Sequence, residues 1–172
     1  MTAKARQSRS DKFKVHWRGT VSDYITALTW SPVGDCLAVS SSSGEVVVWT
    51  EAELVSLLSA KSDAAIDCLD FSADGQYLAA AGQRGEVFVW DTQQLDRPPV
   101  VLSHPNAWID QLTWHSAQPW LAFGNGSQVQ VWDAAQADIV AQLDFGESSV
   151  LSLAWHPEES LLAVSGHTGV KV

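Results

Sequence analysis

The chain has 172 residues, 46% of them apolar, and a formal net charge of −10. That is enough apolar side chain for a packed core, yet no apolar run approaches the roughly 18 residues a membrane span needs. Six of the ten basic residues fall in the first eighteen positions, leaving a leader near +5 and a body near −15. An acidic body repels phosphate backbones, which argues against general nucleic-acid binding by that part.

Residues 1–12 read as a basic, solvated leader without the apolar stretch of a secretory signal; contact with RNA or anionic lipid is the alternative for it. Phe13-Lys14-Val15-His16-Trp17 alternates and is expected as an outer strand, 13–17. A first unit, about 22–60, holds Ile25-Leu28-Trp30, the turn Ser31-Pro32-Val33-Gly34-Asp35, Leu37-Ala38 and a third strand Gly44 to Trp49. Its tail, Glu51 to Ala60, is open to misreading as a helix; the repeat assigns it to an outer strand around Leu54–Leu58.

The second unit, about 63–103, repeats the plan. Ile66 to Phe71 suits a strand with a bulge near its start, and Ser72-Ala73-Asp74-Gly75 is a turn, because Asp and Gly accept the angles of a tight reversal. Tyr77 to Ala81 follows as a buried strand, then Glu86 to Trp90 after a second turn, and an outer strand near Val100-Val101-Leu102 behind two prolines that suit an edge. The third unit, about 106–144, carries Ile109-Leu112-Trp114, Leu121-Ala122, Ser127 to Asp133 and Ile139 to Leu143. The fourth, about 147–172, carries Val150-Leu153-Trp155, Leu162-Ala163 and Gly166 to Val172.

The aromatic positions Trp30, Phe71, Trp114 and Trp155 are spaced by 41, 43 and 41 residues. Such a period marks one structural unit repeated, each unable to bury its apolar face alone. The expected class is all-β, with four antiparallel strands per unit and no long helix. Four such strands closed by Trp90-Asp91 and Trp132-Asp133, with Trp49-Thr50 a decayed copy, resemble the WD-repeat family of β-propellers. The likeness covers about residues 15 to 172 and carries departures. The Gly-His dipeptide before the first strand is missing, although His104 lies near its place. Ser43, Arg84, Gly126 and Thr168 replace the Asp expected before the third strand, so the family's His-Ser-Asp-Trp network is not expected.

The resemblance implies a ring of about seven blades, closed by an N-terminal outer strand pairing with the last blade. The chain supplies about four blades, the last lacking its outer strand. It is expected to be the N-terminal half of a longer propeller, with missing C-terminal blades, or a second chain, completing the ring. A split protein and a homodimer pooling eight blades are the alternatives. Unpaired edges and apolar faces should make the chain alone associate.

Little points to chemistry. His115 and His156 stand where Ser31 and Ser72 stand in other units, as turn residues. Cys36, Cys68 and the five His form no metal-ligand spacing, so no metal or cofactor is expected. The cysteines are expected as buried free thiols in a reducing cytoplasm. Gly124-Asn125-Gly126 lies between strands rather than before a helix and reads as a hairpin turn.

The expected role is a protein-interaction scaffold, not an enzyme; a propeller enzyme or enzyme subunit holding a small ligand is the alternative. In the resembling family, partners dock on the face made by the approach to the first strand and the loop between second and third strands. Carried across, the first set is Tyr24, Thr26, Asp67, Trp108, Asp110 and Leu151, and the second Ser42, Gln83, Arg84, Asn125 and His167. Aromatic rings beside carboxylates suit a basic or Arg-containing segment of a protein partner. Packing on neighbouring loops is the competing role for Tyr24 and Trp108, as is plain solvation for Asp67 and Asp110.

Overall fold

The structure, a computed structural model, describes residues 15, 18–50, 53–59, 64–146, 148–167 and 169–172. The expected leader 1–12 lies outside these, as does the expected outer strand 13–17 apart from an exposed Val15. The described residues contain fifteen strands and no helix.

They form four antiparallel sheets in chain order. The first holds β1 (Ile25–Trp30), β2 (Cys36–Ser41), β3 (Val46–Thr50) and β4 (Leu54–Leu58). The second holds β5 (Ile66–Phe71), β6 (Tyr77–Gly82), β7 (Glu86–Asp91) and β8 (Val100–Ser103). The third holds β9 (Leu112–Trp114), β10 (Trp120–Asn125), β11 (Gln128–Asp133) and β12 (Asp138–Asp144). The last has three strands, β13 (Ser152–Trp155), β14 (Leu162–Ser165) and β15 (Val170–Lys171). Each sheet is a meander in which sequence neighbours pair, so the outer segment at Leu54–Leu58 is a strand on β3 and not a helix.

Hydrogen bonds repeat with the sequence. The backbone N–H groups of Ser31, Ser72, His115 and His156 donate to the carbonyls of Cys36, Tyr77, Trp120 and Leu161, at 2.8–2.9 Å. In the first two units a serine hydroxyl also accepts from the chain beyond the turn, from Cys36 and Tyr77. In the last two, Nδ1 of His115 accepts from the N–H groups of Ala117 and Gln118, and Nδ1 of His156 from those of Glu158 and Glu159. The histidines thus hold turns, and an imidazole acceptor replaces a hydroxyl. The closing Asp does similar work at the end of the third strand: Asp91 accepts from the N–H of Gln93 and Asp133 from those of Ala135 and Gln136. Where Thr50 stands instead, its hydroxyl accepts from the N–H of Glu53.

The core lies between the sheets. Second and third strands are buried on both sides, which is why Val46, Val47 and Val48 run apolar without alternation. Ala38, Val46 and Val48 pack on Ile66, Phe71 and Trp90 of the next sheet. Ala79, Ala81 and Val87 meet Ile109, Trp114 and Phe123, and Ala122, Val129 and Val131 meet Val150 and Leu162. The alanine of each Leu-Ala pair leaves room for the large residues of the following unit. Burying each such large side chain contributes roughly 1.5–3 kcal/mol.

The first strands differ from the simple reading. β1 and β5 carry the bulge at their second residue, between Ile25 and Ala27 and between Ile66 and Cys68. In the third and fourth sheets the ladder begins only at Leu112 and Ser152. Ile109 and Val150 instead donate their N–H groups to Gly82 and Gly126 of the preceding unit. Each thus ties one blade to the turn of the one before it.

Candidate functional site

One groove gathers four of the expected site residues. Trp108, Asp110, Asn125 and Leu151 line a pocket of about 280 Å³, together with Asn106, Ser149 and Val150 among others. It lies where the approach to the third sheet meets the β10–β11 turn and the approach to the fourth. The buried Ile109 anchors its side: with Ile109 0% exposed in the core, Trp108 stands 58% exposed and Asp110 is exposed as well. These residues precede β9, so their outward aim comes from the Ile109 tie to Gly82 rather than from strand alternation.

Trp108 does not float. Its indole Nε1 donates to Asp67 Oδ2 at 2.7 Å, across the gap between the second and third sheets. The half-buried Asp67 therefore holds the ring while leaving its face open. Asp67 and Asp110 lie near one another around Cys68, whose Sγ approaches the carbonyls of Ala81 and Ile109 at 3.5 and 3.4 Å. Burial pushes the Cys68 thiol up, and the charges of Asp67 and Asp110 push it further, so it is a neutral, inert thiol. Both cysteines are free thiols, and they are half-buried rather than buried as expected.

Sequence reasoning passed over the support beneath Asn125. Asn125 Nδ2 lies 3.4 Å from His104 Nδ1, and the His104 ring packs on Phe123 with centroids 5.2 Å apart. Burial holds His104 below its ordinary 6.5, and its Nε2 is buried without a partner among the described residues. The His104 carbonyl packs over Gly85, where an added Cβ would lie 2.1 Å from the oxygen. Gly85 also has φ +68°, so this turn needs glycine twice over. The place of the Gly-His dipeptide was the available signal for His104, but its contact with Asn125 depends on a turn twenty-one residues on.

The other expected residues stand apart from this groove. Tyr24 is 83% exposed at the approach to β1. The Thr26 hydroxyl donates to the Ile66 carbonyl and pairs with Ser40 Oγ, so it joins the first two sheets. Ser42 is half-buried and its backbone N–H donates to the Tyr24 carbonyl. Gln83 and Arg84 are exposed on the β6–β7 turn, Arg84 paired with Glu86 at 3.4 Å. His167 is exposed on the β14–β15 turn, its N–H donating to Ser148 Oγ. Among the described residues no group of three or more His, Cys, Asp or Glu is placed to hold a metal, and no helix is long and apolar enough to cross a membrane.

Comparison with known proteins agrees with this geometry. Residues 28–97 match the family model of the anaphase-promoting complex subunit 4 WD40 domain. No curated protein sequence matches the chain. Among solved structures, that of U3-55K is similar with a TM-score of 0.70 at 18% identity, over 87% of this chain and 47% of that one. The WD40 repeats of RRP9 give a TM-score of 0.70 at 18% identity, over 87% of this chain and 46% of that one. The chain spans about half the length of these solved relatives. By its four sheets in register and its structural neighbours, this chain has the β-propeller fold of WD40 repeats, as a partial propeller of four sheets among the described residues.

Proposed function

We propose that the protein is an interaction scaffold without chemistry of its own, and that it captures a cationic segment of a protein partner in the groove of Trp108, Asp110, Asn125 and Leu151. The observation that carries this reading is the Trp108–Asp67 hydrogen bond, which fixes a large exposed ring in advance of any partner. A ring already held loses little freedom on binding, so more of its contact energy appears as affinity. An Arg or Lys of the partner lies over the indole face, and its charge reaches the exposed Asp110 carboxylate. Leu151 takes an apolar neighbour of that residue across the groove. Among the described residues that line the groove there is no Lys, Arg or His side chain to repel it. Tyr24, Ser42, Gln83, Arg84 and His167 serve a larger partner, outside the groove, with Thr26 beside Tyr24 contributing its backbone and methyl rather than its hydroxyl.

The matching family model is named for a subunit of a multi-protein complex, which is in keeping with a role in assembly. Further blades, of a longer chain or a separate one, complete the ring. We place the protein in the cytoplasm, where free Cys36 and Cys68 persist. An array of short peptides centred on Arg, Lys or Gln tests the reading. Retention of Arg and Lys peptides, lost on Asp110→Asn, supports it. Equal retention of Gln peptides refutes the cationic specificity.

A further inference from the structure

The loop before the outer strand is longer in the second blade than in the third. It spans residues 92–99 between β7 and β8, where the β11–β12 loop spans 134–137. The extra length is tied down. The Thr92 hydroxyl donates to the Gly75 carbonyl at 2.7 Å, and Asp91 accepts from the Gln93 N–H and from Gln94 Nε2. The Arg97 N–H donates to the Gln94 carbonyl, and Leu95 packs against the core between the first two blades.

Held this way, the loop walls a hollow of about 200 Å³ on the seam between the second and third blades, each of which has a described blade on its other side. Val89, Tyr77 and Trp132 supply an apolar lining, with Arg97, Pro98 and Val100 beside them. Val89 and Trp132 are buried, and the Tyr77 ring stacks on Trp114 with centroids 5.6 Å apart, so these walls are set before anything enters. Trp132 lies at the far end of the β10–β11 ladder from Asn125, so the hollow and the Trp108 groove sit at opposite ends of the blades.

Size and charge select an occupant. Cavities that enclose a whole small molecule run to roughly 300–1,000 Å³, so this one suits a single bulky apolar side chain. Arg97 is exposed and makes no ion pair among the described residues, whereas Arg84 is paired with Glu86 and Lys171 donates to the carbonyls of Asp144 and Phe145. Asp91 is the carboxylate in the lining, and its oxygens face the loop's own donors rather than Arg97.

We propose that this seam is a second docking site, taking a segment of a protein partner in which a Leu- or Phe-sized residue adjoins a single Asp or Glu. The apolar side chain fills the hollow and the carboxylate meets the Arg97 guanidinium, whose planar fork matches it. A run of carboxylates would be repelled by a chain of net charge −10, so one is the favoured number. A second hollow, of about 340 Å³, shares Tyr77 with the first. Gln76 and Gln118 line it with side-chain amides that make no hydrogen bond among the described residues, and these serve the segment's backbone. The charge sought here is opposite to that sought at Trp108, and the inference does not rest on that groove.

Fluorescence anisotropy on the 172-residue chain tests it, with labelled Gly/Ser decapeptides carrying Phe-Glu, Phe-Gln or Ala-Glu at the centre. The Phe-Glu peptide is expected to bind. Phe-Gln should bind about fivefold more weakly, as an exposed ion pair allows, and Ala-Glu at least about tenfold more weakly. Arg97→Gln should erase the difference between Phe-Glu and Phe-Gln. Val100→Glu, at a position 48% exposed, adds a carboxylate to the lining and should abolish Phe-Glu binding with an unchanged dichroism spectrum. Asp110→Asn should leave Phe-Glu binding as it is. No binding of Phe-Glu up to millimolar concentration overturns the proposal. Equal binding of Phe-Gln refutes the carboxylate contact, and equal binding of Ala-Glu refutes the use of the hollow. Binding that survives both Arg97→Gln and Val100→Glu, or that is lost on Asp110→Asn, places the peptide elsewhere and refutes the site.

Discussion

Asp70 and Trp114 are joined twice across the gap between the second and third blades. The Trp114 backbone N–H donates to the Asp70 carboxylate at 3.0 Å, and the Trp114 indole donates to the Asp70 carbonyl at 3.1 Å. Burial pushes the Asp70 carboxyl above its ordinary 3.8, against the pull of the Trp114 and Phe71 N–H groups. A raised native value favours the neutral acid in the fold. Its contribution to stability is therefore full below about pH 3.8 and is lost as pH climbs through the raised native value. Asp70→Asn keeps an acceptor and removes the charge, so it should equal or exceed the parent in urea melts at pH 7, with the gap closing toward pH 4. Asp70→Ala leaves the Trp114 N–H unpaired and should cost about 1–3 kcal/mol.

His104 titrates with the opposite consequence. Burial lowers its value below 6.5, so the fold prefers the neutral ring. The stability that follows is present above pH 6.5 and is lost as pH falls through the lowered native value. His104→Leu should flatten the pH dependence of the melting temperature between pH 5 and 7.5 by comparison with the parent. A parent curve already flat in that window would contradict the assignment.

How much of this was legible depended on whether the residue answered to its own unit or to a neighbour. The outer strand Leu54–Leu58 was readable because the period overrode a helical appearance. His115 and His156 were readable as turn residues because Ser31 and Ser72 occupy their place, and the same backbone bond closes all four turns. The late start of β9 was not, since Ile109 leaves its ladder to bond Gly82 of another blade, a partner that local pattern does not reveal. Trp108 and Asp110 were expected to share a surface, and they do, but the Asp67 bond that fixes the ring was invisible. Thr26 shows the converse: its chain position suggested a free surface residue, and its hydroxyl is spent on Ile66.

Two glycines with similar backbone angles should respond very differently to alanine. Gly34 has φ +76° and nothing within 4 Å of an added Cβ, so Gly34→Ala should cost only about 1 kcal/mol of backbone strain. Gly85 has φ +68° and a Cβ there would strike the His104 carbonyl at 2.1 Å, so Gly85→Ala should cost at least about 2 kcal/mol. Denaturant melts of the two variants decide it, and equal losses would contradict the close approach.

At the groove, Trp108→Ala and Asp110→Ala should each weaken capture of an Arg-containing peptide by on the order of 1–3 kcal/mol while the fold persists. Asp67→Ala should weaken it less, by freeing the ring rather than removing it. Titration calorimetry with the best peptide from the array measures all three. Undiminished binding by the Trp108→Ala, Asp110→Ala double variant would reject this groove.

Four of the cross-blade bonds made by side chains share one property: Thr26 to Ile66, Asp67 to Trp108, Asp70 to Trp114 and Thr113 to Trp155 each link residues 40 to 44 positions apart. No blade depends on any but its immediate neighbours, so cohesion is passed along the arc like couplings along a train. Among the described residues, the second and third blades make such bonds on both sides. Amide exchange should therefore leave β6 and β10, buried within those two blades, protected longest, with the exposed outer strand β12 released earlier.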